Sequence, residues 1–260
     1  MKVVILCGGY GTRIRDVADD VPKPMIPVGG LPILWHIMKY YSTWGYNDFV
    51  LCLGYKGLVI KDFFLNYEAN TRDFTLRLGA QRSVEYHTAH SEDWAVTLAE
   101  TGLGAMTGTR LRKIQRYIGD DEHFMCTYGD GLSDIDIEQL IVFHKAHGKI
   151  LTVTGVRPPG RFGEIMKDAT GKVTEFNEKP QATAGVISGG YFVCRRELFD
   201  YLREGDDLVF EQEPMRKLVA DEQLMVYDHP GFWQPMDTYR DYAYLNGLAD
   251  KGQAPWLIWK

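Results

Sequence analysis

Residues 3–13 read VVILCGGYGTR: the apolar run Val3 to Leu6, three of its four residues β-branched, meets Gly8 and Gly9 almost at once, with a third glycine at position 11. A run this short, closed off by glycines, is a buried strand ending in a glycine loop. In sheets of this kind ligands bind beyond the carboxyl ends of the strands, so the chemistry is expected there. The loop offers backbone N–H groups at Gly8, Gly9 and Gly11, followed by the Thr12 hydroxyl and the Arg13 guanidinium. Oriented amides and a planar fork of donors suit the clustered oxygens of a polyphosphate. Lys23 adds a second cation between Pro22 and Pro24, which restrict the backbone around it. A plain glycine turn is the competing reading of the glycines alone; Arg13 and Lys23 weigh against it. Two common phosphate motifs are excluded. A dinucleotide fingerprint would need glycine where Ile14 stands, and the Walker pattern would need G-K-[ST] after the loop.

The 260 residues, 45% hydrophobic and 25% charged, have the composition of a globular protein with a full core. A net charge of −6 argues against a nucleic-acid surface. A polyanionic ligand must then be held by a local cationic site or a metal. No apolar run has the length of a membrane span, and the run after Met1-Lys2 is too short for a secretory signal. Cys7, Cys52, Cys126 and Cys194 lie in or beside apolar runs without a CxxC pair, as buried small hydrophobes in a reducing cytoplasm would. The seven histidines form no HExxH; His144 and His147 fall near a helix end marked by Gly148.

Along the chain, Ile33, Leu34, Ile37, Met38 and Tyr41 have helical spacing, with Pro32 suited to a first helical position. The strand 49–53 follows, so the first unit is a βαβ crossover in a parallel sheet. A helix over 59–66, alternating strands between 73 and 98, a helix carrying Leu111, Ile114 and Ile118, a strand over 124–127, a helix over 134–147 and a strand over 150–156 continue the pattern. Residues 164–176 read as a hairpin and 186–194 as a strand whose Gly189 and Gly190 permit close approach to a ligand. Helices over 197–202 and 210–220, a strand over 224–227, and a last helix that starts within 231–238 and ends near Gly252 complete it. The segment 255–260, with Trp256, Ile258 and Trp259, is too apolar for a free tail and docks on its own domain or on a neighbouring subunit.

Three further places invite ligands. Thr101 to Arg110, TGLGAMTGTR, puts a second glycine cluster before a helix, where anions and polar edges bind; a self-capped helix is the alternative. Asp130, within Tyr128-Gly129-Asp130-Gly131, is a carboxylate at a strand's carboxyl end, suited to a hard cation but also an ordinary turn residue. Asp237, before Thr238, is by itself a helix cap.

The pattern Gly8-Gly9-Tyr10-Gly11-Thr12-Arg13 followed by Pro22-Lys23-Pro24 resembles the signature of the sugar-phosphate nucleotidyltransferases. Later segments, among them PILWHIMKYY, MTGTR, TYGDG, PPGRFGE, NEKP, SGGYFV and GFWQPMDTYRD, resemble the branch that transfers cytidylyl groups to glucose 1-phosphate. Cys7 departs from the alanine often found before G-G, a small-for-small change. The resemblance implies an α/β fold, a Rossmann-like mixed, mostly parallel sheet flanked by helices, with a smaller sugar-binding and oligomerisation portion. It implies one domain over 1–260, with a nucleotide-binding portion over 1–156 and a sugar-phosphate-binding portion with the C-terminal helix over 157–260.

It also implies roles. Arg13 and Lys23 act in catalysis; Leu6, Gly8, Gly9, Gly11, Thr12, Arg13, Lys23, Thr107, Gly108, Arg110 and Gly129 bind the nucleotide. Gly163, Glu178, Lys179 and Gly190 bind the sugar phosphate, and Asp130 with Asp237 holds Mg²⁺. The implied partners are CTP and a sugar 1-phosphate, with neither nucleic acid nor membrane, in a homo-oligomer. Two alternatives stay open: the same transfer with UTP, dTTP or another phosphate acceptor, and a silent nucleotide-binding regulatory subunit on the same fold.

Overall fold

The first strand, β1 (Val3–Leu6), is buried along its whole length, and its side chains alternate between two apolar layers. Val3 and Ile5 belong to one layer, Val4 and Leu6 to the other. A strand covered on both faces needs such an uninterrupted apolar run. In the computed structural model, which describes residues 1–10, 14, 20–87, 92–157, 164–167, 172–177 and 185–259, six more strands join it. They are β2 (Asp48–Leu53), β3 (Ala95–Glu100), β4 (His123–Tyr128), β5 (Leu151–Val156), β6 (Ile187–Arg195) and β7 (Leu224–His229). Their order across the sheet is β7-β5-β6-β4-β1-β2-β3. Only β6 runs antiparallel to its neighbours, so the sheet is mixed and mostly parallel, as the sequence leads one to expect.

From β1 the chain runs to one edge through β2 and β3, then returns to the other side of β1 at β4. The crevice beyond β1 and β4 is therefore the sheet's topological switch point, where open α/β sheets take their ligands. Strand β6 inserts between β4 and β5, which interleaves the first 156 residues with those that follow in one sheet.

Helices cover both faces. On the first lie α1 (Ile33–Thr43), α2 (Gly57–Leu65), α4 (Ile137–His147) and α6 (Tyr239–Asp250), through residues such as Ile37, Ile60, Leu140 and Leu245. On the second lie α3 (Thr107–Lys113) and α5 (Glu213–Ala220), through Leu111 and Leu218. Pro32 is the extended residue just before α1 rather than its first residue. Helix α4 starts where Asp136 accepts the Gln139 N–H at 2.9 Å and stops at Gly148, whose φ of 64° favours glycine. The expected helix over 197–202 is a 3₁₀ turn, Arg196–Tyr201. The expected hairpin is present as Glu164–Lys167 paired with Val173–Asn177.

One expectation fails in an instructive way. Residues 231–238 do not begin the last helix; Trp233–Pro235 is a short strand, antiparallel to Gly131–Ser133, and α6 starts only at Tyr239. The start is fixed by Thr238 and Asp241, each side chain bonded to the other's backbone N–H. All four cysteines are buried free thiols. The carboxyl-terminal segment docks on its own domain: Trp256 is fully buried, stacked on Phe232 and within 3.3 Å of His36.

Behind β4 and β5, His144 is fully buried, with Nδ1 2.8 Å from the Thr152 hydroxyl and Nε2 without a partner among the described residues. Burial, helped by His123 and His147, pushes its pKa from 6.5 down to about 3. The unfolded chain thus binds a proton that the folded chain refuses, so this contribution is complete above pH 6.5 and is lost as pH falls below it. Through His144, stability to urea should fall by about 1 kcal/mol per pH unit between about pH 6 and pH 4. His144→Gln should flatten that limb; an equally steep limb in the variant would remove His144 from it.

Candidate functional site

The turn after β1 is held from three sides. The Tyr55 N–H donates to the Gly8 carbonyl at 3.3 Å, and the Gly129 N–H donates to the Leu6 carbonyl at 3.1 Å. The Arg110 guanidinium donates to Gly8 O at 3.1 Å, Leu53 O at 2.8 Å, Gly102 O at 2.9 Å and the Thr101 hydroxyl at 2.7 Å. With the side chain 4% exposed, these bonds satisfy a charge that burial would otherwise make costly. A Cβ at Gly8 would lie 2.2 Å from the guanidinium carbon, so a larger residue there would push Arg110 out of these bonds. At Gly9 an added Cβ would meet nothing within 4 Å among the described residues. Arg110 thus ties the loops after β1, β2 and β3 together.

Lys23 sits in the 3₁₀ turn Lys23–Met25, behind an extended Pro22. Its ammonium donates to Asp130 Oδ2 at 2.5 Å and to Asp237 Oδ1 at 2.6 Å. Burial alone would lower the lysine pKa; the two carboxylates outweigh it and hold it above the ordinary value. Lys23 is therefore a cation throughout the physiological range.

The meeting of Asp130 with Asp237 has a specific cause. Each follows or precedes one strand of the small ladder: Gly131–Ser133 pairs with Trp233–Pro235, and the Met236 N–H donates to Asp130 O at 2.8 Å. Asp134 pins the far end, accepting the Phe232 N–H at 2.7 Å and contacting His229 Nε2 at 2.9 Å. The capping work expected of Asp237 falls to Thr238 and Asp241, which leaves the Asp237 carboxylate to face Lys23.

Leu6, Gly8, Gly9, Lys23, Thr107, Arg110, Gly129, Asp130 and Asp237 line one cavity of about 440 Å³ at the switch point. Gly108 is not in that lining; it packs on Leu208, which a Cβ would meet at 2.8 Å. Gly190 lines an adjoining cleft of about 50 Å³ with Gly189, Tyr128, Asp130 and Trp233. Gly11, Thr12, Arg13, Gly163, Glu178 and Lys179 lie outside the described residues. Sequence reasoning passed over Tyr10, Leu103, Met106 and Tyr128 in the large cavity. Tyr128 stands inside the quoted TYGDG run and Met106 opens the quoted MTGTR run, so signals existed; Leu103 looks like any apolar loop residue.

The chemistry on offer is electrostatic. Burial raises the Cys7 thiol well above its ordinary pKa, so it is no nucleophile although it lines the cavity. Two carboxylates that already converge on one positive charge form a hard oxygen pair, which a divalent cation can share with phosphate and water. Asp130 and Asp237 thus fit such an ion. Among the described residues no group of three or more His, Cys, Asp or Glu gathers.

Residues 2–248 match the sequence profile of the family described as Nucleotidyl transferase. The glucose-1-phosphate cytidylyltransferases of Salmonella typhi and of Salmonella typhimurium are each 50% identical to the chain over 260 residues, the full length of both partners. Among solved structures, HddC from Yersinia pseudotuberculosis superposes with a TM-score of 0.65 at 21% identity, covering 96% of this chain and 99% of the other. That likeness shows a shared fold.

If the ladder brings the two aspartates together, loosening its far end should show at the site. Asp134→Ala leaves the Phe232 N–H without its acceptor and should cost about 1–3 kcal/mol of stability. Amide hydrogen exchange should accelerate at Phe232 and Met236 while that of β1 stays protected. Uniform acceleration, or none, would show that the ladder does not depend on Asp134.

Proposed function

The chain belongs to the nucleotidyl transferase family, and we propose that it transfers the cytidylyl group of CTP to α-D-glucose 1-phosphate, giving CDP-glucose and pyrophosphate. The observation that carries this is the convergence of Asp130 and Asp237, 107 positions apart, on Lys23 beside the Gly8-Gly9 turn. Full-length identity of 50% to enzymes named for this reaction supports the choice of nucleotide and acceptor.

In this reaction an oxygen of the sugar phosphate attacks the α-phosphorus of CTP in line, and pyrophosphate departs. The nucleophile is a phosphate already anionic near neutral pH, so no general base is required. What the protein must supply is position and positive charge. Lys23 meets the reacting phosphate with an ammonium that stays protonated. Asp130 and Asp237 would hold Mg²⁺, whose charge at the phosphate oxygens lowers the repulsion between two polyanions. The Gly8 and Gly9 turn, set by Arg110, presents backbone N–H groups to the triphosphate. Arg13 is assigned to the leaving phosphates, Glu178 to the sugar hydroxyls and Lys179 to the sugar phosphate, on the resemblance of their motifs. Free buried thiols suit a reducing compartment, and we place the reaction in the cytoplasm.

The test is pyrophosphate release with Mg²⁺, each nucleoside triphosphate and a panel of sugar 1-phosphates. Rapid release with CTP and glucose 1-phosphate alone is the expected result; a different best pair would reassign the substrates. Asp130→Asn should lower turnover on the order of 100-fold at saturating substrates, as loss of one electrostatic stabiliser does. Full turnover in that variant would take Asp130 out of the mechanism.

A further inference from the structure

Two hydroxyls on the walls of the site end on one carboxylate that no motif marks. Glu211, in the loop before α5, accepts from the Thr107 hydroxyl at 2.7 Å through one oxygen and from the Tyr128 hydroxyl through the other. The carboxylate itself does not line the cavity, whereas Thr107 and Tyr128 both do. Thr107 is doubly committed, since its oxygen also accepts the Phe210 N–H at 2.9 Å. The neighbouring loop is stitched to the same helix: Met106 N–H donates to Asp206 O at 3.0 Å and Thr109 N–H to Leu208 O at 3.1 Å. Glu211 thus stands on a rigid backing and reaches forward to the site.

Tyr128 gives this contact its meaning. The ring is shared between the 440 Å³ cavity and the 50 Å³ cleft that carries Gly189 and Gly190. It lies so close to Gly190 that a Cβ there would come within 2.5 Å of ring carbon Cδ2, and Phe192 meets it edge-on. The Tyr128 ring is thereby the partition between the two spaces, and its hydroxyl end is tethered to Glu211. Burial and the Glu211 charge both push the phenol pKa up, so the hydroxyl remains a donor.

We propose that Glu211 is a positioning residue of the transfer site, one carboxylate that sets the nucleotide wall through Thr107 and the acceptor wall through Tyr128. The proposal rests on the functional reading above, with the large cavity taking CTP and the small cleft taking the sugar of the acceptor. A side chain that is merely structural would change stability, or the fraction of active enzyme. A side chain that places both walls changes the affinity for both substrates.

The experiment is steady-state pyrophosphate release, varying CTP and glucose 1-phosphate in turn, for the wild type, Glu211→Gln, Thr107→Val and Tyr128→Phe. The glutamine keeps the volume but replaces one of the two accepting oxygens with an N–H₂ donor, so the two hydroxyls can no longer donate to separate oxygens. Losing a hydrogen bond to a charged group corresponds to roughly tenfold or more in affinity. Glu211→Gln should raise KM for both substrates by about tenfold with a melting temperature near that of the wild type. Thr107→Val should raise KM mainly for CTP, and Tyr128→Phe mainly for glucose 1-phosphate. Unchanged KM values in Glu211→Gln, or a fall in kcat alone that follows lost stability, would overturn the assignment. Should Glu211→Gln not fold, the other two variants decide: effects on different substrates support the proposal, and effects on the same substrate or on neither overturn it. A wild type that releases no pyrophosphate with CTP and glucose 1-phosphate refutes the functional reading instead.

Discussion

The pairing of Gly131–Ser133 with Trp233–Pro235 is three residues long, and it brings Asp130 and Asp237 to one place. It joins segments about a hundred positions apart, at the loop-closure cost that distance implies. Three residues of backbone pairing are a weak bond by themselves, which is why the ends are reinforced. Asp134 and His229 close one end; the Met236 to Asp130 backbone bond and the Thr238 to Asp241 cap close the other. With both ends fixed, the side chains of Asp130 and Asp237 have a common direction and meet at Lys23.

That meeting resolves a problem of charge. The chain carries −6 overall, yet its proposed substrates are both polyanions. Two partly buried carboxylates would repel them further, were it not for an ammonium within hydrogen-bond distance of both. Burial works against that ammonium and the carboxylates work for it, and the net result keeps it charged. Arg110 illustrates the opposite use of a cation. Its charge is spent on carbonyls and a hydroxyl of the protein, so it shapes the Gly8 turn from behind. Two basic residues lining one cavity thus have different work, set by what already surrounds each.

What could be read from the sequence divides along the same line. Strand β1 and helix α1 are local patterns of burial and spacing, and they appear where those patterns put them. The parallel order of β1, β2 and β4 follows from helices alternating with apolar strands. Trp233–Pro235 could not be read, because a three-residue strand with a proline at its end lacks any alternation to detect, and its partner is remote. Glu211 was invisible for another reason: among Asp206, Asp207 and Glu213 it looks like one more solvated acid. Its role depends on which hydroxyls the fold sets in front of it.

The antiparallel strand β6 shows why the two halves of the chain act as one. Inserted between β4 and β5, it carries Gly189 and Gly190 to the side of β4 that bears Tyr128. Trp233, from the small ladder, then donates its indole N–H to the Gly189 carbonyl at 2.7 Å. The ladder that gathers the aspartates therefore also grips the strand that borders the small cleft. A change in the spacing of β6 from β4 must be felt at Trp233, and through Pro235 and Met236 at Asp237. The large cavity and the small cleft thus share one short stretch of backbone, the ladder that carries Trp233 and leads to Asp237.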